Sequence, residues 1–271
     1  MPDALPQPDR DRLSALAALV LLAITLVRIV SLPELEAQAQ AFGLIVRVSL
    51  STGSVLIVLA SAVTITGADW MVRSHPLLKG IGRRLDHLVL PGLSTLAVGV
   101  VLTGIPEGPG LWLGLPAAAA LLIGVLVAEF IVVDPQDPRA EAASMGLQAL
   151  GMASLAISLT GILGHGTRAI FAVPASLIAG TAIAWRALRL RGAEGRVLLY
   201  AVFVGSVISE LAWALHYWPV KPLQGAIFLA LAGYAALGAA QAHSVGRLTG
   251  RLAIEYAGLA GAGAIATILL T

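Results

Sequence analysis

The sequence predicts an all-α membrane protein, a single bundle of about nine transmembrane helices with its N-terminus in the cytoplasm and its C-terminus outside. Three observations predict it. Of the 271 residues 58% are hydrophobic and only 12% charged, with a mean hydropathy of +0.90; a soluble domain carries about 25% charged residues and needs a polar outer layer. Apolar runs recur at lengths near the roughly 20 residues that cross about 30 Å of hydrocarbon. The basic residues alternate from one side to the other, as the positive-inside rule requires.

The nine runs are 13–32, 42–66, 88–105, 111–133, 143–164, 169–188, 197–218, 223–243 and 252–271. Proline, glycine and acidic residues punctuate the gaps: Pro33, Pro106 to Gly110, Asp134 to Pro138, Pro219 and Pro222, the chemistry of loops. The first run resembles a secretory signal in its charged start and its small residues at Ala37, Ala39 and Ala41, but it is too long and Arg28 interrupts it; it reads as the first helix. The runs are apolar all round, with no strand-like alternation.

With the N-terminus inside, thirteen of the seventeen Lys and Arg fall in inner segments, Arg73, Arg139, Arg186 and Arg251 among them. Only Arg168 and Lys221 fall outside, while Arg28 and Arg47 lie within helices one and two. Adding or dropping one helix would scramble this asymmetry. Trp70 and Trp185 mark inner edges, Trp112 and Trp218 outer ones, as an aromatic belt does. These features place the chain in the bacterial cytoplasmic (inner) membrane. Between helices two and three, residues 77–86 put Leu77, Leu78, Ile81 and Leu85 on one face and Lys79, Arg83 and Arg84 mainly elsewhere, the pattern of a short amphipathic helix lying at the cytoplasmic headgroups.

Helices in lipid associate by close packing, so small residues four apart mark contact faces. Such rows are Ala172, Ser176, Gly180 and Ala184; Ala232, Ala236 and Ala240; and Gly258, Ala262 and Ala266. All are expected to serve packing within the chain rather than a dimer seam.

Ionisable groups inside membrane segments are the default functional candidates. Glu210 is the deepest, about 12 Å below the outer boundary at 1.5 Å per residue. Ser206, Glu210, Trp213 and Tyr217 share one helix face. That face suits a ligand site or an ion path, or a structural ion pair with Arg28 or Arg47, which lie about 6 and 8 Å below the same boundary; the ion pair is the preferred reading. Glu129 and Glu255 lie about a turn from inner helix ends and read as structural, Glu255 pairing with Arg251 four residues earlier. Asp69 and Arg73, also four apart, form a corner that His75-Pro76 terminates.

Other chemistry finds little support. There is no cysteine, hence no thiolate nucleophile or Cys-ligated metal. The five histidines have no metal-ligand spacing and no matched mid-membrane pair for haem, and no G-x-S-x-G, H-E-x-x-H or Walker motif occurs. No catalytic residue, metal or cofactor is therefore expected. The net charge of +2 comes with no basic stripe, which excludes a nucleic-acid footprint. The expected partners are the lipid bilayer and other membrane subunits. The stretch Thr66-Gly67-Ala68-Asp69-Trp70-Met71-Val72-Arg73-Ser74-His75-Pro76-Leu77-Leu78, with Ser209-Glu210-Leu211-Ala212-Trp213, resembles a bacterial family of polytopic membrane proteins with no assigned activity. The resemblance implies a membrane location and no mechanism. The expected function is that of a non-enzymatic membrane protein or structural subunit. The alternative is a small-solute or proton-coupled transporter built around Glu210.

Overall fold

The computed structural model describes residues 6–29, 35–41, 44–50, 52–78, 85–164, 168–193 and 195–269, with the backbone alone described at 27–29, 35–41, 44–50 and 52. Nine α-helices make up these residues almost entirely: α1 (Arg10–Ile29), α2 (Thr52–Val72), α3 (Val89–Gly104), α4 (Pro109–Ile131), α5 (Ala140–Gly164), α6 (Ala169–Leu190), α7 (Val197–His216), α8 (Pro222–Ser244) and α9 (Gly250–Leu269). Among the described residues eight helices are long and apolar enough to cross a membrane. The chain is a multi-pass membrane protein, helical but for one short two-stranded ribbon.

The helix breaks fall where the sequence puts proline, glycine and charge. Pro109 and Pro222 sit in the first turns of α4 and α8, where the missing N–H costs nothing. Gly108 ends the α3–α4 turn at a φ of 145°, a conformation open to glycine.

The expected second helix is displaced. It starts at Thr52 rather than 42 and runs on through Asp69 to Val72, and ahead of it two strands, β1 (Leu35–Ala41) and β2 (Leu44–Leu50), pair antiparallel with Leu35 opposite Leu50 and Ala41 opposite Leu44. The reason is local. Glu36 to Ala41 alternates polar and apolar residues, and Ile45, Val46 and Val48 are β-branched, which suits a pleated ribbon better than a helix. Arg47 therefore belongs to β2, opposite Gln38, and not to a membrane helix. The expected surface helix at 77–86 lies mostly outside the described residues. Its two described ends are 3-10 turns, Pro76–Leu78 and Asp86–Leu88.

Contacts between chain-distant residues show the helices alternating in direction. The Arg139 guanidinium donates to the Pro6 carbonyl at 3.3 Å, joining the start of α5 to the start of α1. Tyr200 at the start of α7 meets His243 at the end of α8. Arg73, Arg139, Arg186, Arg191 and Arg251 all gather at this one end of the bundle, termed the basic end below.

α6 and α7 make the closest helix pair. Gly180 faces Gly205, and a Cβ on Gly180 would come within 3.2 Å of the Gly205 Cα, so backbone lies on backbone as small-residue packing allows. Ala172, Ser176, Gly180 and Ala184 are all buried. The expected row on α9 behaves otherwise. Gly258, Ala262 and Ala266 are exposed, and Gly263 and Thr267 are the buried positions. Tyr256 sets this rotation: its ring fills the space over Gly238 of α8, while Gly263 lies over Phe228 and Leu231.

Candidate functional site

The deepest polar cluster sits at the basic end, where α2, α4, α6 and the 3-10 turn before α3 converge. Glu129, two residues before the end of α4, is fully buried, and Arg186, four before the end of α6, is 5% exposed. The Arg186 guanidinium donates from Nε to Glu129 Oε1 at 3.1 Å and from Nη2 to Glu129 Oε2. This is the bidentate fork that arginine makes with a carboxylate. Nη1 donates to Asp86 Oδ2 at 3.2 Å. One cation thus bridges two carboxylates from elements far apart in the chain.

A second set adjoins it through His87. The His87 Nε2 lies 3.2 Å from Asp69 Oδ1, and Arg73 Nε donates to the other oxygen, Oδ2, at 2.9 Å. Asp69 and Arg73 face each other because they are four apart on a helix. His75 is buried, its ring edge-on to Phe130 with centroids 4.7 Å apart. The Leu77 backbone N–H donates to His75 Nδ1 at 3.3 Å, which leaves the proton of the neutral ring on Nε2. Burial lowers the His75 pKa below its usual range, against the opposing pull of Asp134 and Asp137. In the α4–α5 turn Arg139 donates to both oxygens of Asp137, at 3.0 and 2.7 Å. That pairing draws the Asp137 carboxyl down to about 2. Beside Arg186, Gln148 and Tyr234 help to line a space of about 20 Å³, roughly what one water molecule needs.

The arrangement is electrostatically closed. Each carboxylate in it faces a cation or a histidine, and removing either partner of such a pair strands a charge. Its chemistry is that of a clamp. Among the described residues no three His, Cys, Asp or Glu side chains gather as metal ligands.

Of the residues the sequence singled out, Glu210 lies on the exposed side of α7, and no ion pair among the described residues includes it. Ser206 is half-buried, and Trp213 and Tyr217 are exposed. Ser209 beside Glu210 turns inward and donates to the Val173 carbonyl at 2.9 Å. The Arg28 and Arg47 side chains lie outside the described residues. α7 packs on α6 and α8, whereas α1 packs on α2, α3 and α4, so the two helices have different neighbours. Glu255 pairs with Arg251 at 3.1 Å, in the open. The Glu129–Arg186 pair is the centre that sequence reasoning missed. Arg186 reads as one more inner arginine, although the run Ile183-Ala184-Trp185-Arg186-Ala187-Leu188 places a charge inside an apolar segment and so signals burial.

Among the described residues, apolar helices long enough to cross a membrane surround a buried ion-pair cluster at one end, the architecture of a polytopic membrane protein. The chain belongs to the family DUF5656, described as a protein of unknown function, which it matches over residues 32–270. This agrees with the resemblance carried by residues 66–78 and 209–213. No curated protein and no solved structure matches it.

Proposed function

We propose that this chain is a non-enzymatic, multi-pass protein of the bacterial cytoplasmic membrane that serves as a structural subunit of a larger membrane assembly, with its N-terminus in the cytoplasm and its C-terminus outside. The observation that carries this reading is the exposed face of α7. Glu210 lies about 9 Å from the end of that helix, at 1.5 Å per residue, with Trp213 56% and Tyr217 75% exposed beside it. A carboxylate presented to lipid is costly, and aromatic side chains are enriched where proteins meet. A neighbouring subunit with a cation or hydrogen-bond donor at that depth satisfies both. The buried charges of the clamp, Glu129 and Arg186, need no such partner, because they pair with each other within the chain.

The test is a photo-crosslinking amino acid at Trp213 in native membranes, with Ile254 as an exposed control. The expected result is a discrete crosslinked species at 213 that Glu210→Gln removes. A Trp213 pattern no different from that of Ile254 overturns the subunit reading. Loss of proton or solute flux in Glu210→Gln proteoliposomes would put transport in its place, with Glu210, Ser206, Trp213 and Tyr217 along the path. A periplasm-active reporter fused after Thr271 should work and a cytoplasm-only fluorescent reporter there should stay dark; the reverse overturns the orientation.

A further inference from the structure

Away from the basic end, α3, α4 and α5 line a cavity of about 240 Å³. We propose that this cavity holds one acyl chain of a membrane phospholipid.

The walls are the first argument. They are apolar and half of them small, with Ala97, Ala117 and Ala153 standing where larger side chains would narrow the gap. The two wall hydroxyls, Ser94 and Ser154, are buried and face each other at 3.2 Å, so they satisfy one another and offer little to water. An apolar cavity of about 150 Å³ stays dry and takes up a molecule the size of benzene; this one is larger.

The mouth is the second argument. Val101, Ala117 and Ala153 are exposed and lie on three helices that the chain's composition commits to a membrane. What meets that mouth is hydrocarbon. Left empty, the lining would forfeit its dispersion contacts, and a chain from the surrounding lipid restores them with no polar group to desolvate.

Shape is the third. Along α3 the lining runs from Ser94 to Ile105, about 16 Å at 1.5 Å per residue. Along α4 and α5 it runs from Gly114 to Leu121 and from Leu150 to Ile157, about 10 Å each, so the cavity extends along the helices, as a single acyl chain does.

The experiment reconstitutes the full chain in phosphatidylethanolamine–phosphatidylglycerol vesicles containing a phospholipid with a diazirine in its acyl chain. Labelled positions are mapped by peptide mass spectrometry. Val98, buried in the cavity, should be labelled severalfold more than Leu199, which is exposed on α7. Filling the cavity with Ala117→Leu and Ala153→Leu should bring Val98 down to or below the Leu199 level while leaving Leu199 unchanged. Should the double variant fail to fold, Ala153→Val alone is read in the same way. Labelling of Val98 no stronger than that of Leu199, or labelling that survives the filling, overturns the proposal. So does a diazirine isoprenoid that labels Val98 more strongly than the phospholipid at equal mole fraction.

Discussion

The two ends of α4 are held by opposite means. At the basic end Glu129 is fixed by a two-pronged bond to Arg186, and neighbouring ion pairs lock α2, α6 and the turn before α3 around it. At the other end Gly114 and Ala117 line a hollow of about 240 Å³ whose nearest polar contact is a single serine pair. The difference teaches where precision resides in this bundle. Directional, charge-assisted bonds leave one end a single geometry. Small side chains leave the other free to accommodate what fills it.

The largest expected effect is at the clamp. Arg186→Ala should cost about 3–5 kcal/mol, because it strands the fully buried Glu129, and Glu129→Ala should cost less, because Asp86 still accepts from Arg186. Replacing both, as Arg186→Met with Glu129→Leu, should recover part of that loss, since Asp86, which also loses Arg186, is only partly buried. Thermal unfolding in detergent measures it, and single variants near wild type would remove the contrast between the two ends.

Next comes one substitution made in two places. Ala184→Leu, two residues from Arg186 at a position 1% exposed, should cost about 1–3 kcal/mol through overpacking. Ala153→Leu, into the hollow, should cost less than about 1 kcal/mol, since there is space to receive it. Equal costs at the two sites would mean that the hollow closes when the protein is in its membrane. Smaller again is the serine pair: Ser94→Ala should cost about 1 kcal/mol, the net worth of one hydrogen bond.

The effects of acid sharpen the picture of the basic end. Asp137 is held at about 2 against an ordinary 3.8. Its folded pKa is depressed, so the stability it contributes is full above pH 3.8 and is lost as pH falls through about 2. His75 is likewise depressed from 6.5; its contribution is full above 6.5 and declines as acid protonates the unfolded ring first. Unfolding midpoints measured from pH 7 to 2 should show both declines. Asp137→Asn should flatten the lower one and His75→Gln the upper.

Much of the fold was legible in the sequence, because apolar length and Pro/Gly punctuation act locally. α6 starts at Ala169 and α7 at Val197, both as read. The ribbon was hidden by its composition: Leu44-Ile45-Val46 is as apolar as a helix, and the alternation from Glu36 to Ala41 spans too few residues to stand out. The candidate site was legible only where partners are close in sequence. Asp69 and Arg73 share a helix turn, whereas Glu129 and Arg186 meet only through the packing of α3, α4, α5 and α6. For Glu210 the helix period gave the shared face with Trp213 and Tyr217, but periodicity carries no information about which way a face points.

The Glu129–Arg186 bond also sets an order of manufacture. The two residues lie 57 apart in the chain, so at roughly 5–20 residues per second the ribosome delivers the acid about 3–11 s before the base. For that interval α4 carries a carboxyl with no guanidinium to receive it, a burden in lipid. A nascent chain cut short between the two would present α4 with its carboxyl unmatched, the kind of defect by which quality-control proteases distinguish unfinished membrane proteins from finished ones.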